Sequence, residues 1–314
     1  MNVRPLVSVI MSVYNEVPEY LNLAVESILR QTYENIEFLI ADDGSAPEAA
    51  TVLDDISRRD PRIHLIRHEN FGLTESLNHL IRQTHGAFVA RQDSDDISEP
   101  DRIRQQVSFF ADRPNLMLLG TGCLLIDAQG RGLHRQRIKT HPRTLRRLLR
   151  RTNQFVHGSV MFRTEVFNHH MYYEDFRYAE DYDLFTRIAD RFLVANIALP
   201  LYRYRINPES ISVAKSREQL FMGMVVRKAA RLRRKGYPIH WSPETFELIS
   251  KTLKTPLNRR HLECLVFGAQ GRIHNLTGRK AEARRMYWRA FASYPSPRAL
   301  WWLLRSLIPW RYVW

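Results

Sequence analysis

The chain has 314 residues, 44% of them hydrophobic and 25% charged, with a net charge of +14. This composition excludes a disordered or fibrous chain, and two cysteines without metal-ligand spacing, Cys123 and Cys264, exclude a disulfide framework and a zinc ribbon. The charge is unevenly placed: residues 215–314 hold 21 Lys or Arg against five Glu, together with all six Trp, whereas residues 1–214 hold 26 basic against 28 acidic residues.

The compositional break near residue 215 predicts two regions, a near-neutral body over 1–215 and a basic, Trp-rich helical region over 216–314. The opening "MNVRPLVSVIMSVYNE" has no signal-peptide organisation, and no run reaches the roughly 18 apolar residues that a spanning helix needs. A cytoplasmic protein is the expectation.

In chain order, "LVSVIMSVY" (6–14) and "IEFLIADD" (36–43) are short apolar runs ending in polar residues, the pattern of buried parallel strands. Between them "VPEYLNLAVESILRQT" places Tyr20, Leu21, Ala24, Val25, Ile28 and Leu29 at helical spacing. "PEAATVLDDISRRD" reads as a second helix, "IHLIRH" (63–68) as a third strand, "LTESLNHLIRQT" (73–84) as a third helix and "GAFVARQD" (86–93) as a fourth strand. The alternation predicts an α/β fold with a doubly wound, mostly parallel sheet flanked by helices.

Ligands of such sheets lie beyond the carboxyl ends of the strands. Here those ends carry Ser12 and Tyr14, then Asp42 and Asp43, then Asp93, Asp95 and Asp96. Neither G-x-G-x-x-G nor a P-loop is present. Three aspartates within four positions admit two readings. One is a solvated acidic turn capping the helix that begins near Pro100. The other is half of a site for Mn²⁺ or Mg²⁺, which takes one or two carboxylates plus substrate phosphates and removes the repulsion between the acids.

Further along, "MLLGTGCLLID" (117–127) is strand-like, and the basic stretch over 131–154 has helical spacing in Leu145, Leu148 and Leu149. Its arginines read as a solvated face or as a surface toward anionic lipid or a pyrophosphate. In "YAEDYDLFTRI" (178–188), Glu180 and Asp181 fall in the first turn of a helix, where carboxylates also serve merely to complement the dipole, and Asp183 is expected at the surface.

The segments "SVIMSVYNE", "SILRQTYENIEFLIADDGS", "NFGLTESLNHLI", "GAFVARQDSDDISEPDRI" and "HGSVMFR", in this order, resemble the family 2 glycosyltransferases of the nucleotide-sugar-binding GT-A fold over roughly residues 6–215. The resemblance implies an inverting enzyme that moves a sugar from a nucleotide-sugar donor, most often a UDP-sugar, to a saccharide or lipid-linked acceptor, in a setting such as polysaccharide or lipopolysaccharide assembly. It implies that Ser12, Tyr14, Glu16 and Asp43 hold the nucleotide, with Asp43 at the base. Asp93 and Asp95 would follow at the ribose and diphosphate, and Asp96, Asp95 and His157 at the cation. His157 has the alternative of a structural histidine. Asp181 would be the general base and Glu180 a neighbour touching the acceptor.

The region after Glu218 reads as helices, and its "LECLVFGAQGRIHNLTGRKAEARRMYWRAFASYP" portion resembles a tetratricopeptide-type hairpin with Gly278 in the turn. "SPRALWWLLRSLIPWRYVW" combines Leu300, Trp301, Leu303, Leu304, Leu307, Ile308 and Trp310 with Arg298, Arg305 and Arg311. Three uses are open: packing on the catalytic region, docking of a protein partner, or peripheral attachment to an anionic membrane surface. Two readings from other classes stand beside the enzyme. One is a nucleic-acid-binding protein, disfavoured by confinement of the basic excess to the last hundred residues; the other is a helical scaffold that leaves the aspartates idle.

Overall fold

The computed structural model describes residues 4–206, 215–237 and 243–307. The described residues form two compact units, one bounded by Met1–Leu125, Arg135–Glu174 and Glu180–Arg205, the other by Ile126–His134, Asp175–Ala179 and Ile206–Trp314. The break thus falls ten residues earlier than composition suggests, and the second unit takes in two short stretches of the body. Composition registers neither stretch because both are brief and ordinary in residue content.

In the first unit, β1 (Val7–Val13) leads through α1 (Pro18–Leu29) to β2 (Ile36–Asp43), and α2 (Pro47–Ser57) leads to β3 (Ile63–His68). Then α3 (Leu73–Arg82) leads to β4 (Phe88–Arg91). All seven residues of β1 are buried, as the central strand of a parallel sheet covered on both faces must be. Leu21, Ala24, Val25 and Ile28 of α1 are buried against it, and Pro18 opens that helix where its missing N–H costs nothing. The buried cluster around Val9, Met11, Phe38 and Ile40 holds this half together, each large side chain contributing about 1.5–3 kcal/mol.

Beyond β4 come β5 (Ile97–Ser98), α4 (Arg102–Ala111), β6 (Leu116–Ile126), β7 (Gly132–Arg135), α5 (Pro142–Leu149), β8 (Met161–Arg163), α6 (Glu180–Arg191) and β9 (Leu193–Arg205). The sheet order is β3-β2-β1-β4-β8-β6-β9-β5. The strands β1 to β4 pair in parallel, whereas β8 runs antiparallel to both β4 and β6, and β9 antiparallel to β5. In α5 the leucines Leu145 and Leu149 are buried and the arginines are exposed.

Antiparallel return matters for the site. Pairing of Met161 with Ala90, extended by the Arg91 N–H donating to Val160 O at 2.9 Å, brings the His157 turn beside the end of β4. Pairing of Ile97 with Arg203 brings Arg205 beside the acidic turn in the same way.

The second unit carries α7 (Ser216–Arg234), α8 (Pro243–Leu253), α9 (Pro256–Leu276), α10 (Lys280–Ser293) and α11 (Pro297–Leu307). Gly278, at φ +79°, turns α9 into α10 where sequence places the hairpin. Trp241, Ile308, Trp310, Arg311 and Trp314 lie outside the described residues. Among the described residues no helix is long and apolar enough to cross a membrane.

Candidate active site

The loops after β1, β2 and β3 are laced together. Asn15, at φ +49°, donates its N–H to Ser45 Oγ at 3.1 Å and accepts at Oδ1 from the Ala46 N–H at 2.8 Å. Gly44 lies so close to the third loop that a Cβ there would meet Asn70 N at 2.7 Å. Asp43 is buried, and its Oδ1 accepts from the Phe71 and Gly72 N–H groups at 2.8 and 3.2 Å, so this carboxylate shapes the loop as well as facing the strand-end crevice. Tyr14 and Phe71 are both exposed there, Phe71 stacked on the His68 ring at 4.8 Å, while Ser12 is buried at the strand end.

The acidic turn is built from Gln92 outward. The Gln92 amide nitrogen donates to Asp93 O at 3.0 Å and to Asp96 O at 2.9 Å, and its oxygen accepts from the Ser98 hydroxyl at 2.7 Å. Glu16, at the start of the β1 loop, accepts from the Ser94 hydroxyl at 2.7 Å. Asp93 is fixed twice, by its N–H on the Tyr202 hydroxyl at 3.1 Å and by an ion pair with Arg91 at 2.7 Å. Arg91 is only 2% exposed, a buried cation at the end of an apolar strand.

Burial and the charges of Asp93 and Glu16 push the Asp95 carboxyl up to about 7. Asp96 is raised well above the usual range by burial and by Asp95 and Asp93. Such mutual elevation is the electrostatic signature of carboxylates that a cation would relieve. Among the described residues no three His, Cys, Asp or Glu side chains are grouped to hold an ion by themselves, and Mg²⁺ and Mn²⁺ need fewer when phosphates complete the shell. Asp93 and Asp95 are half-buried at this turn.

Asp96, which the resemblance places at the cation, is 0% exposed, and its Oδ1 accepts from the Arg205 N–H at 2.7 Å. Its Oδ2 is sealed inside the turn with no well-aligned hydrogen-bond partner among the described residues, although the Tyr202 hydroxyl lies near. Asp96 ties the turn to β9, while Asp93 and Asp95 are half-buried.

The His157 turn lies against the acidic turn, and α6 follows it in the chain. His157 Nε2 faces the Tyr172 hydroxyl at 2.9 Å, and burial together with the Arg91 charge pushes the imidazole down to about 3, so it is neutral and able to act as a ligand. Tyr172 is itself held by the Asn78 side chain, which bonds both its N–H and its C=O at 3.1 Å. Asp181 Oδ1 accepts from the Tyr182 N–H and Oδ2 from the Asn153 amide, both at 2.7 Å. Burial and the neighbouring Glu180 push its carboxyl up to about 7, and the Asp93 charge also reaches it. Glu180 is buried next to it. Asp183, expected at the surface, is instead wholly buried and paired with Arg187 at 2.7 Å, since this turn of α6 faces inward.

The arrangement therefore brings Asp93, Asp95, His157, Glu180 and Asp181 into one electrostatic neighbourhood, with Glu16 on the acidic turn and Ser12, Tyr14 and Asp43 along the strand ends. Sequence reasoning misses Arg91, Arg102, Asn153, Tyr172 and Tyr202. Arg102 donates to Gly158 O at 2.7 Å and to Arg91 O at 2.9 Å, binding the His157 turn to the end of β4. The one available signal was an arginine inside the apolar run "FVAR", which a buried strand does not tolerate without a counter-ion.

The model of the family described as glycosyl transferase family 2 matches residues 8–171. The O-antigen biosynthesis glycosyltransferase WbnJ of Escherichia coli is 30% identical over 214 residues, 67% of this chain and 83% of that protein. Among solved structures, the mannosyltransferase PcManGT of Pyrobaculum calidifontis, in complex with GDP-Man and Mn²⁺, superposes with a TM-score of 0.56 at 20% identity, covering 98% of this chain and 80% of that one. TarS residues 1–349 of S. aureus, in complex with UDP-GlcNAc, gives 0.59 at 16% identity, covering 92% and 89%. The curled, mostly parallel sheet flanked by helices is that of the GT-A glycosyltransferases.

Proposed function

The chain belongs to glycosyl transferase family 2, and from that premise we propose that it moves a sugar from a nucleotide-sugar donor, a UDP-sugar first, to a hydroxyl of a saccharide or lipid-linked acceptor, inverting the anomeric carbon. The observation that supports this reading is that the Asp93 charge bears on both Asp95 and Asp181, so the acidic turn and the start of α6 lie within electrostatic reach of one another. Relatives named for O-antigen synthesis and structures containing GDP-Man or UDP-GlcNAc support the donor class and a cell-surface polysaccharide setting.

In this reading Ser12, Tyr14 and Asp43 receive the nucleoside, with Phe71 beside them, and Asp95 with Asp93 holds the cation, His157 standing next to Asp93. Mn²⁺ or Mg²⁺, when bound, supplies positive charge against the diphosphate leaving group. Asp181 accepts the proton of the acceptor hydroxyl as its oxygen bonds to the anomeric carbon, and the sugar–phosphate bond breaks with its electrons on the diphosphate. The Asn153 and Tyr182 hydrogen bonds aim the carboxylate, and a value near 7 leaves it basic yet substantially ionised at neutral pH. Glu180 stands beside it to meet the acceptor.

Thermal stabilisation by a panel of UDP-, GDP- and TDP-sugars, with and without Mn²⁺, tests the proposal. A donor at 100 times its Kd should add about 2.7 kcal/mol of stability. Absence of stabilisation by every donor in the presence of either cation would sink it.

A further inference from the structure

Helix α11 is apolar on two sides, and among the described residues only one of them packs into the fold. Its inner side places Ala299 and Trp302, 6% exposed, in a small core with Cys264, Tyr287 and Ala290. Gly268 of α9 makes room for that indole, since a Cβ there would overlap the Trp302 ring. Leu303 also packs on this core.

The outer side presents Leu300, Trp301 and Leu304 at i, i+1 and i+4, with exposures of 41%, 54% and 51%. The Arg305 guanidinium lies 4.9 Å from the Trp301 ring centroid, a cation over an indole that is itself in solvent. The paired helices α10 and α11 hold Lys280, Arg284, Arg285, Arg289, Arg298 and Arg305 against the single acid Glu282. A face of three large apolar side chains on a strongly basic helical pair is complementary to one kind of surface: an apolar layer bordered by phosphates. An acidic protein groove would match the charge, but the surrounding excess of arginine and an indole paired with guanidinium suit a headgroup layer better. At 11 residues α11 cannot span a bilayer.

We propose that the outer face of α11 docks on an anionic membrane surface, Leu300, Trp301 and Leu304 entering at headgroup depth while the arginines of α10 and α11 meet lipid phosphates. The proposal is independent of the reaction assigned above, because its readout is lipid binding.

Flotation of the full-length protein with vesicles of phosphatidylcholine alone, or mixed with phosphatidylglycerol, tests it. Binding is expected on the mixed vesicles, weaker in high salt, with the intrinsic Trp emission shifting to the blue. The combined variant Leu300→Ser, Trp301→Ser, Leu304→Ser should lose binding by about tenfold or more. A control, Leu248→Ser on the exposed side of α8, should float as the parent does. Equal flotation of the combined variant and the parent, or equal binding to both vesicle types, overturns the proposal. So does a lowered melting temperature of the combined variant, which would assign the face to the fold, or a parent that is dimeric without lipid and becomes monomeric in the combined variant, which would assign it to a second copy of the chain.

Discussion

Asp181 is the residue on which the proposed reaction turns. Held up to about 7 by burial and Glu180, it is mostly protonated at pH 5.5 and mostly ionised at pH 8.5, and only the ionised form accepts a proton. The acceptor kcat/KM should therefore climb about tenfold per pH unit below 7 and level off above it, measured as initial transfer rates across pH. Asp181→Asn should lower transfer by at least about 10²-fold while donor affinity stays within a few-fold; equal loss of both would remove Asp181 from the role of base. Asp95 gives a second, independent pH signature. Its folded value near 7 lies above the unfolded one, so the metal-free fold loses stability through this group as pH rises from about 4 to 7. His157 and His170, pushed down to about 3 and 4, act oppositely below about 6.5 and cancel in the difference between Asp95→Asn and the parent, which reports Asp95 together with the relief of its neighbour Asp96. Without metal, urea unfolding should show that difference growing in the variant's favour from pH 4 to 7.

At the scale of elements, the site is a meeting of two turns, the acidic turn after β4 and the His157 turn before β8. Gly158 sits where they touch: a Cβ there would run into the Tyr202 hydroxyl and Asp93 Oδ2. Gly158→Ala should cost about 1–3 kcal/mol of stability. It should also weaken Mn²⁺-dependent nucleotide binding, because Asp93 must shift. Unchanged stability and binding would show that the turns are more loosely coupled than the structure has them.

The parallel half, β1 to β4, was legible because strands buried on both faces read as continuous apolar runs and their polar ends announce the crevice. The antiparallel half was not. β8 is three residues long, and its pairing with β4 and β6 joins segments some 40 to 75 residues apart, which no local pattern records. The burial of Asp96 was hidden for the same reason, since its partner, the Arg205 N–H, arrives on β9. Asp183 pairs with Arg187 one turn on in the same helix, a local spacing; what the sequence concealed is that this turn of α6 faces inward.

For the whole molecule, the division of charge follows the division of structure. The first unit gathers acids at its strand ends, where the proposed cation and diphosphate would bind, and the second carries most of the basic excess and the exposed indole of α11. The central claim concerns the first: that a nucleoside diphosphate binds at the strand ends through a divalent cation on Asp95. Calorimetric titration of the full-length protein with UDP, GDP and TDP, each with Mn²⁺ and with EDTA, tests it most directly. The account predicts that one of the three binds in Mn²⁺, that EDTA abolishes the heat, and that Asp95→Asn weakens the affinity at least about tenfold whereas Asp181→Asn leaves it within a few-fold. No binding by any of the three, or binding that survives both EDTA and Asp95→Asn, would contradict it.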